Sequence, residues 1–156
     1  MANCKSCGRR IENPRFKYCL NCTNNLPREY LREGYFDQNG NLHCDLVTET
    51  AMEVAEKIGL DRKMGTAQLR RFYGHAKNQL TRLQMSNVDF DVIRADVQKL
   101  RAFAAEARGK SKIPTVFFKF IETNLSKVVD EKSFVEGFME HFQAVVAYFY
   151  YLYPKS

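Results

Sequence analysis

The sequence predicts an all-α protein, an elongated bundle of about five helices with a small four-cysteine module at its N-terminus. Three observations predict it. From Leu46 to Leu152, apolar residues recur at intervals of three and four, the spacing of one helix face. After the turn-rich stretch FDQNGN at 36–41, no segment shows the alternation of a half-buried strand. Before Asn25, four of the five cysteines fall into two CxxC pairs. The expected division is a zinc-ribbon-like module over residues 1–25 and a helical domain over 35–153.

Cys4 and Cys7 form the first pair and Cys19 and Cys22 the second, with eleven residues between them. Each CxxC lets one tight turn present two thiolates to a tetrahedral ion, and the second turn completes four ligands. The expected metal is Zn2+, since soft thiolates suit it and no redox chemistry is required. An iron site of the rubredoxin kind is the competing reading. Against a disulfide or a redox CxxC stand the lack of an export signal and of a strand-to-helix junction. Four protein thiolates leave no open coordination position, so the expected role is structural. Cys44 lies outside the pattern and reads as a free thiol. His43, His75 and His141 read as ordinary surface or core histidines.

The helices are expected in order. Leu46, Val47, Thr50, Ala51, Val54, Ala55 and Ile58 mark the first, ended near Gly59. Leu69, Phe72, Tyr73, Ala76, Leu80 and Leu83 mark the second. Ser86 is placed to cap a third that runs through Val92, Ile93, Val97, Leu100 and Ala104. Pro114 suits the first turn of a fourth, through Phe117, Phe120, Ile121 and Leu125. Ser133 with Glu136 has the spacing of a capping box and opens a fifth, through Phe138, Phe142, Val145 and Phe149.

Charge narrows the function. From Lys57 to Arg82 the chain carries seven Lys or Arg against one acid, Asp61. At ~100° per residue, Arg70 and Lys77 share one flank of the second helix, while Arg71 and Arg82 lie on the nearly opposite face. A solvated face ordinarily mixes signs, so this excess indicates an anionic partner, with plain wet surface as the alternative. The net charge of +6 and pI near 9.1 agree, and nucleic acid is the commonest such partner. Arg101, Arg108 and the loop to Lys112 form a second basic strip. YFYYLY at 148–153 holds more rings than one core stripe absorbs, which indicates a protein contact, with base stacking as the alternative. No apolar run approaches the ~20 residues that span a bilayer, and no signal-peptide core precedes the cysteines. A cytoplasmic protein without membrane contact is expected.

The blocks YFDQNGNL, TAQLRRFYGHAK, PTVFFKFIE and FVEGFMEHFQAVVAYF together resemble the small subunit of type III-A CRISPR (Csm) effector complexes, over roughly Tyr35 to Tyr153. QLRRFY from Gln68 and the aromatic pattern from Phe138 to Phe149 are its specific pieces. The resemblance implies a non-catalytic helical protein, present in several copies along a filament of backbone subunits. It implies partners as well: CRISPR RNA, target RNA, the backbone and large subunits, and further copies of itself. RNA contact would fall on Lys63, Arg70 and Arg71 by the matching motif, with Lys77 beside them and Arg101, Arg108 and Lys110 as additions. The N-terminal cysteine module departs from the family pattern. Its expected roles are a staple for the N-terminus, a contact to a neighbouring subunit, or an extension of the RNA path through Lys5, Arg9, Arg10, Arg15 and Lys17.

Cations spread over a helix face and a loop neutralise phosphates without reading bases, which suits a subunit that accepts any guide sequence. Two other classes are weighed. A zinc-containing DNA-binding transcriptional regulator would want a short recognition helix with polar residues at its start, which Gln68 and Arg70 partly supply. An enzyme would want a phosphate-binding loop, a nucleophile with its base, or an open metal site, and the sequence offers none of these patterns.

Overall fold

A computed structural model describes residues 2–155. The chain opens with a two-residue antiparallel pair, β1 (Ala2–Asn3) and β2 (Arg10–Ile11), in the register Ala2 to Ile11 and Asn3 to Arg10. A short helix, α1 (Leu20–Thr23), follows. A 3-10 turn (Cys44–Val47) then leads into α2 (Glu49–Gly59), α3 (Thr66–Met85), α4 (Phe90–Gly109) and α5 (Thr115–Lys127). A π-helical turn (Ser133–Phe138) continues without a break into α6 (Met139–Leu152). The protein is mostly helical, and the five expected helices are α2 to α6.

Two helix starts differ from the sequence expectation. Ser86 does not cap α4; it closes α3 by donating its N–H to Arg82 O, and α4 begins at Phe90 after an extended Asp89. The Ser133–Glu136 capping box does not form either. Asp130 takes that role, its Oδ1 accepting the Ser133 N–H at 2.8 Å, because Ser133 Oγ is engaged by the N–H groups of Val129 and Asp130. The wide turn that follows carries Gly137 against the Tyr35 ring, where a Cβ would come within 2.6 Å of a ring carbon.

The bundle closes because each helix buries its apolar stripe on a neighbour. α2 and α3 both pack on α6, and α4 packs on α3 and α5. Phenylalanines dominate the centre: Phe72 meets Phe117 at 5.0 Å between ring centroids, and Phe142 meets Phe120 at 5.3 Å and Phe138 at 5.4 Å. These tilted and edge-on contacts are the arrangements aromatic quadrupoles favour. Gly59 ends α2 directly beneath the Tyr153 ring, which leaves no room for a Cβ.

A buried polar network pins residues 30–46 across α5 and α6. His141, wholly inside, donates from Nδ1 to Leu46 O and accepts at Nε2 from the Tyr30 hydroxyl. Asn124 Nδ2 donates to the Tyr30 oxygen at 2.8 Å, and its Oδ1 accepts from the Tyr35 hydroxyl at 2.8 Å. Each side-chain polar atom of this network finds a partner, which is what makes its burial tolerable. Burial pulls the His141 pKa down to about 4, so the ring stays neutral inside the fold.

Candidate nucleic-acid interface and four-cysteine cluster

The cysteine cluster is built by two backbone turns. In the first, the Gly8 N–H reaches Cys4 O at 2.9 Å and the Cys4 N–H reaches Arg9 O at 2.7 Å, with Gly8 in the left-handed region that favours glycine. The Arg9 N–H points at Cys7 Sγ at 3.4 Å. The second turn is α1 itself, which carries Cys22 one helical turn from Cys19. All four sulfurs lie within 4.8 Å of one another, and Cys7 and Cys19 are 3.7 Å apart. A tetrahedral ion with bonds of about 2.3 Å to sulfur would set its ligands about 3.8 Å apart, so the set is close to coordinating geometry.

Electrostatics point the same way. Burial raises the Cys4 thiol, but N–H groups at Cys19, Cys7 and Ser6 outweigh it and bring it down to about 6. Burial pushes the Cys22 thiol up to about 12, and its neighbouring cysteines add to the effect. Four thiolates cannot share this space unaided, and a bound cation would deprotonate all of them. Cys44 is exposed and apart from the cluster.

The module is docked on α2. Lys57, counted from sequence as the head of the basic run, leaves that run altogether. Its ammonium is 0% exposed, bonded to Glu53 at 2.9 Å and Asn25 O at 3.0 Å, and it lies over the Tyr18 ring at 4.9 Å. Tyr18 OH and Lys17 Nζ both reach Glu56, and Lys119 Nζ reaches Asn25 Oδ1 at 2.6 Å. Ile11 and Tyr18 bury with Cys4 and Cys22 as a small core of their own.

The seven candidate RNA-binding residues separate into two groups. Lys63, in the α2–α3 turn, and Arg70, Arg71 and Lys77, on α3, are exposed. Arg70 is held by Tyr150, its Nε donating to the phenol oxygen at 3.1 Å with the guanidinium 5.7 Å from the ring centroid. Arg71 points to the α4 side, bordering a hollow of about 270 Å³ with Gln68, His75 and Phe103. Lys63, Arg71 and Lys77 form no ion pair among the described residues. The second strip is different: Arg101 pairs with Glu122 at 2.9 Å and Lys110 with Glu106 at 2.8 Å, while Arg108 is half-buried. Arg82 is likewise taken up by Asp96 at 2.7 Å.

The expected aromatic surplus is smaller than the sequence indicates. Tyr148, Tyr150 and Tyr153 all pack against the core, and Tyr153 also donates to Glu56 O at 2.8 Å. Tyr151 alone among these four is mostly in water, at 74% exposure. Among the described residues no helix is long and apolar enough to cross a membrane.

Bundle, basic helix and thiolate cluster together define a small, mostly helical protein that presents cations along one long helix. Residues 41–155, well over half of the chain, match the family described as Csm2 Type III-A, and the chain belongs to that family, the small subunit of the type III-A CRISPR effector complex. The match takes in α2 to α6 and excludes the cysteine module. Comparison with curated proteins and with solved structures finds no match.

Proposed function

We propose that this chain is a non-catalytic RNA-binding subunit that stabilises the type III-A interference complex in cytoplasmic antiviral defence. It contacts the backbone of target RNA or of the guide–target duplex, alongside CRISPR RNA, the backbone and large subunits, and further copies of itself. The single observation that carries the RNA reading is the set of exposed cations on and before α3, Lys63, Arg70, Arg71 and Lys77, in a family that serves an RNA-guided complex. Phosphate contact needs accessible, unneutralised cations rather than base-reading side chains. Arg101, Arg108 and Lys110 are secondary contacts, since two of the three already hold carboxylates.

The chain divides into a module over residues 1–25 and a small-subunit domain over 35–153. Cys4, Cys7, Cys19 and Cys22 hold a structural Zn2+, supported by the near-tetrahedral sulfur spacing. The ion supplies cross-linking, and with four protein ligands it offers no site to a substrate. The test of the RNA reading is titration of labelled target RNA into reconstituted complexes with Arg70→Glu and Arg71→Glu together, after checking equal subunit content. Binding is expected to weaken uniformly across sequences. Unchanged affinity would refute the α3 contact.

A further inference from the structure

The cysteine module lies outside the matched residues, so the family does not account for the surface it adds. Two cavities adjoin at Tyr153, one within the bundle and one between bundle and module, and together make a groove. One, of about 480 Å³, lies between the α2–α3 turn and the C-terminal residues and is bordered by Arg62, Phe149 and Lys155. The other, of about 250 Å³, lies between module and bundle and is bordered by Arg15, Phe16, Lys17 and Leu60. Tyr153 is fixed by its bond to Glu56 O, by Phe149 at 5.0 Å and by close contact with Gly59. The groove is therefore preformed, and its second half exists only because the module is docked.

Its charge is one-sided. Arg15, Lys17, Arg62 and Lys155 border it, and Glu56, the acid that lines it, is engaged by Lys17 and Tyr18. Arg15, Arg62 and Lys155 form no ion pair among the described residues. Arg62 sits at φ +59, a left-handed conformation that side-chain-bearing residues rarely adopt, as the chain turns from α2 into α3. Phe16, 58% exposed, stands at the module side of the same groove.

We infer that this groove beside the module binds a single-stranded segment of RNA, with phosphates on Arg15, Arg62 and Lys155 and a base against Phe16. The inference rests on RNA being this protein's partner. A duplex keeps its bases stacked inside and offers only its backbone, whereas a recess with cations along it and a ring at its mouth matches an unpaired strand. The acidic peptide that the same charge could attract becomes an outcome of the test.

The full-length protein is titrated at several salt concentrations with a short labelled oligouridine and with an RNA duplex. Arg15→Glu with Arg62→Glu should weaken oligouridine binding about tenfold and lower the slope of log affinity against log salt by about 1.4, two contacts at about 0.7 each. Phe16→Ala should weaken it with the slope unchanged, as lost stacking does. Both positions are exposed, and Arg15→Gln with Arg62→Gln, checked by thermal melting, gives a milder version of the same loss. Unchanged oligouridine binding in all three variants overturns the inference. So does intact RNA binding with lost co-assembly of the other subunits, which assigns the groove to protein. The parallel α3 variant, Arg70→Glu with Arg71→Glu, separates the two readings: if it spares duplex binding while the groove variants fail on oligouridine, the α3 reading falls and the groove stands.

Discussion

Gly59 and Gly74 sit in the consecutive helices α2 and α3 and should respond to the same substitution with opposite sign. Gly59→Ala drives a methyl into the Tyr153 ring, which is held by Glu56 and Phe149 and cannot yield cheaply, so a loss of about 1–3 kcal/mol is expected. Gly74 has nothing near its missing Cβ and an ordinary helical backbone, so Gly74→Ala should gain roughly 0.5–1 kcal/mol. Urea unfolding of both variants beside the parent decides this. His141 makes a prediction in pH. Its folded pKa, about 4, is below the ordinary value near 6.5, so the unfolded chain binds the extra proton between them. That contribution is fully present above about pH 6.5, is lost as pH falls toward 4, and amounts to roughly 3 kcal/mol. His141→Phe should flatten acid destabilisation in this window, at some cost in stability at pH 7 because Tyr30 and Leu46 O lose their partner; an unaltered acid profile would refute it. Residues of this kind were half legible. Asn124 and His141 interrupt apolar stripes in the sequence, but no spacing rule says that Tyr30 and Tyr35 satisfy them from about a hundred residues away. Lys57 looked like its basic neighbours because the module that buries it is remote in sequence.

At the scale of elements, helix existence was readable, while the starts of α4 and α6 were not. The stripes of α2 to α6 follow from burial and appear in the sequence as periodicity, whereas Ser86 and Ser133 were assigned caps by spacing alone and lost that role to local backbone competition. The two CxxC turns were legible because metal coordination fixes both residue type and interval. Their docking on α2 was not, since Lys57, Glu53, Glu56, Tyr18 and Asn25 share no motif. This arrangement predicts what loss of the cluster does. Cys4→Ser with Cys22→Ser should unfold residues 2–25, because the sulfurs supply much of that small core. The bundle should survive, since Ala51, Val54, Ala55 and Ile58 hold α2 through its other face. Lys57 would then be solvated rather than stranded. Expected readouts are rapid proteolysis near Arg9 to Lys17, faster amide exchange over α2, and nearly unchanged far-ultraviolet helicity. Collapse of helicity would show that the module is a folding requirement and not an attachment. Metal analysis of the parent, prepared without chelator, should find about one zinc per chain.

At the scale of the whole molecule, net charge favours an anionic partner, but only the fold says which cations are available to one. Seven residues were candidates in sequence, Lys63, Arg70 and Arg71 ahead of Arg101, Arg108 and Lys110. The structure makes them unequal: Arg101 and Lys110 spend their charge on Glu122 and Glu106, and Arg71 and Lys77 have no such partner among the described residues. A paired cation near a phosphate still brings its carboxylate with it, so its net attraction for RNA is small. The salt dependence of binding counts this directly, because each neutralised phosphate releases counterions and contributes a little under one to the slope of log affinity against log salt. Arg71→Gln with Lys77→Gln in the assembled complex should therefore lower the slope by about 1.5, with base preference unchanged. Arg101→Gln with Lys110→Gln should lower it by well under half as much, since each removes one end of an internal pair and leaves a carboxylate behind. Glutamine keeps a polar side chain and avoids the reversed charge that would exaggerate both effects. Equal slopes for the two double variants would mean that RNA displaces Glu122 and Glu106 from their partners, and that the α4–α5 strip stands beside α3 in the binding surface.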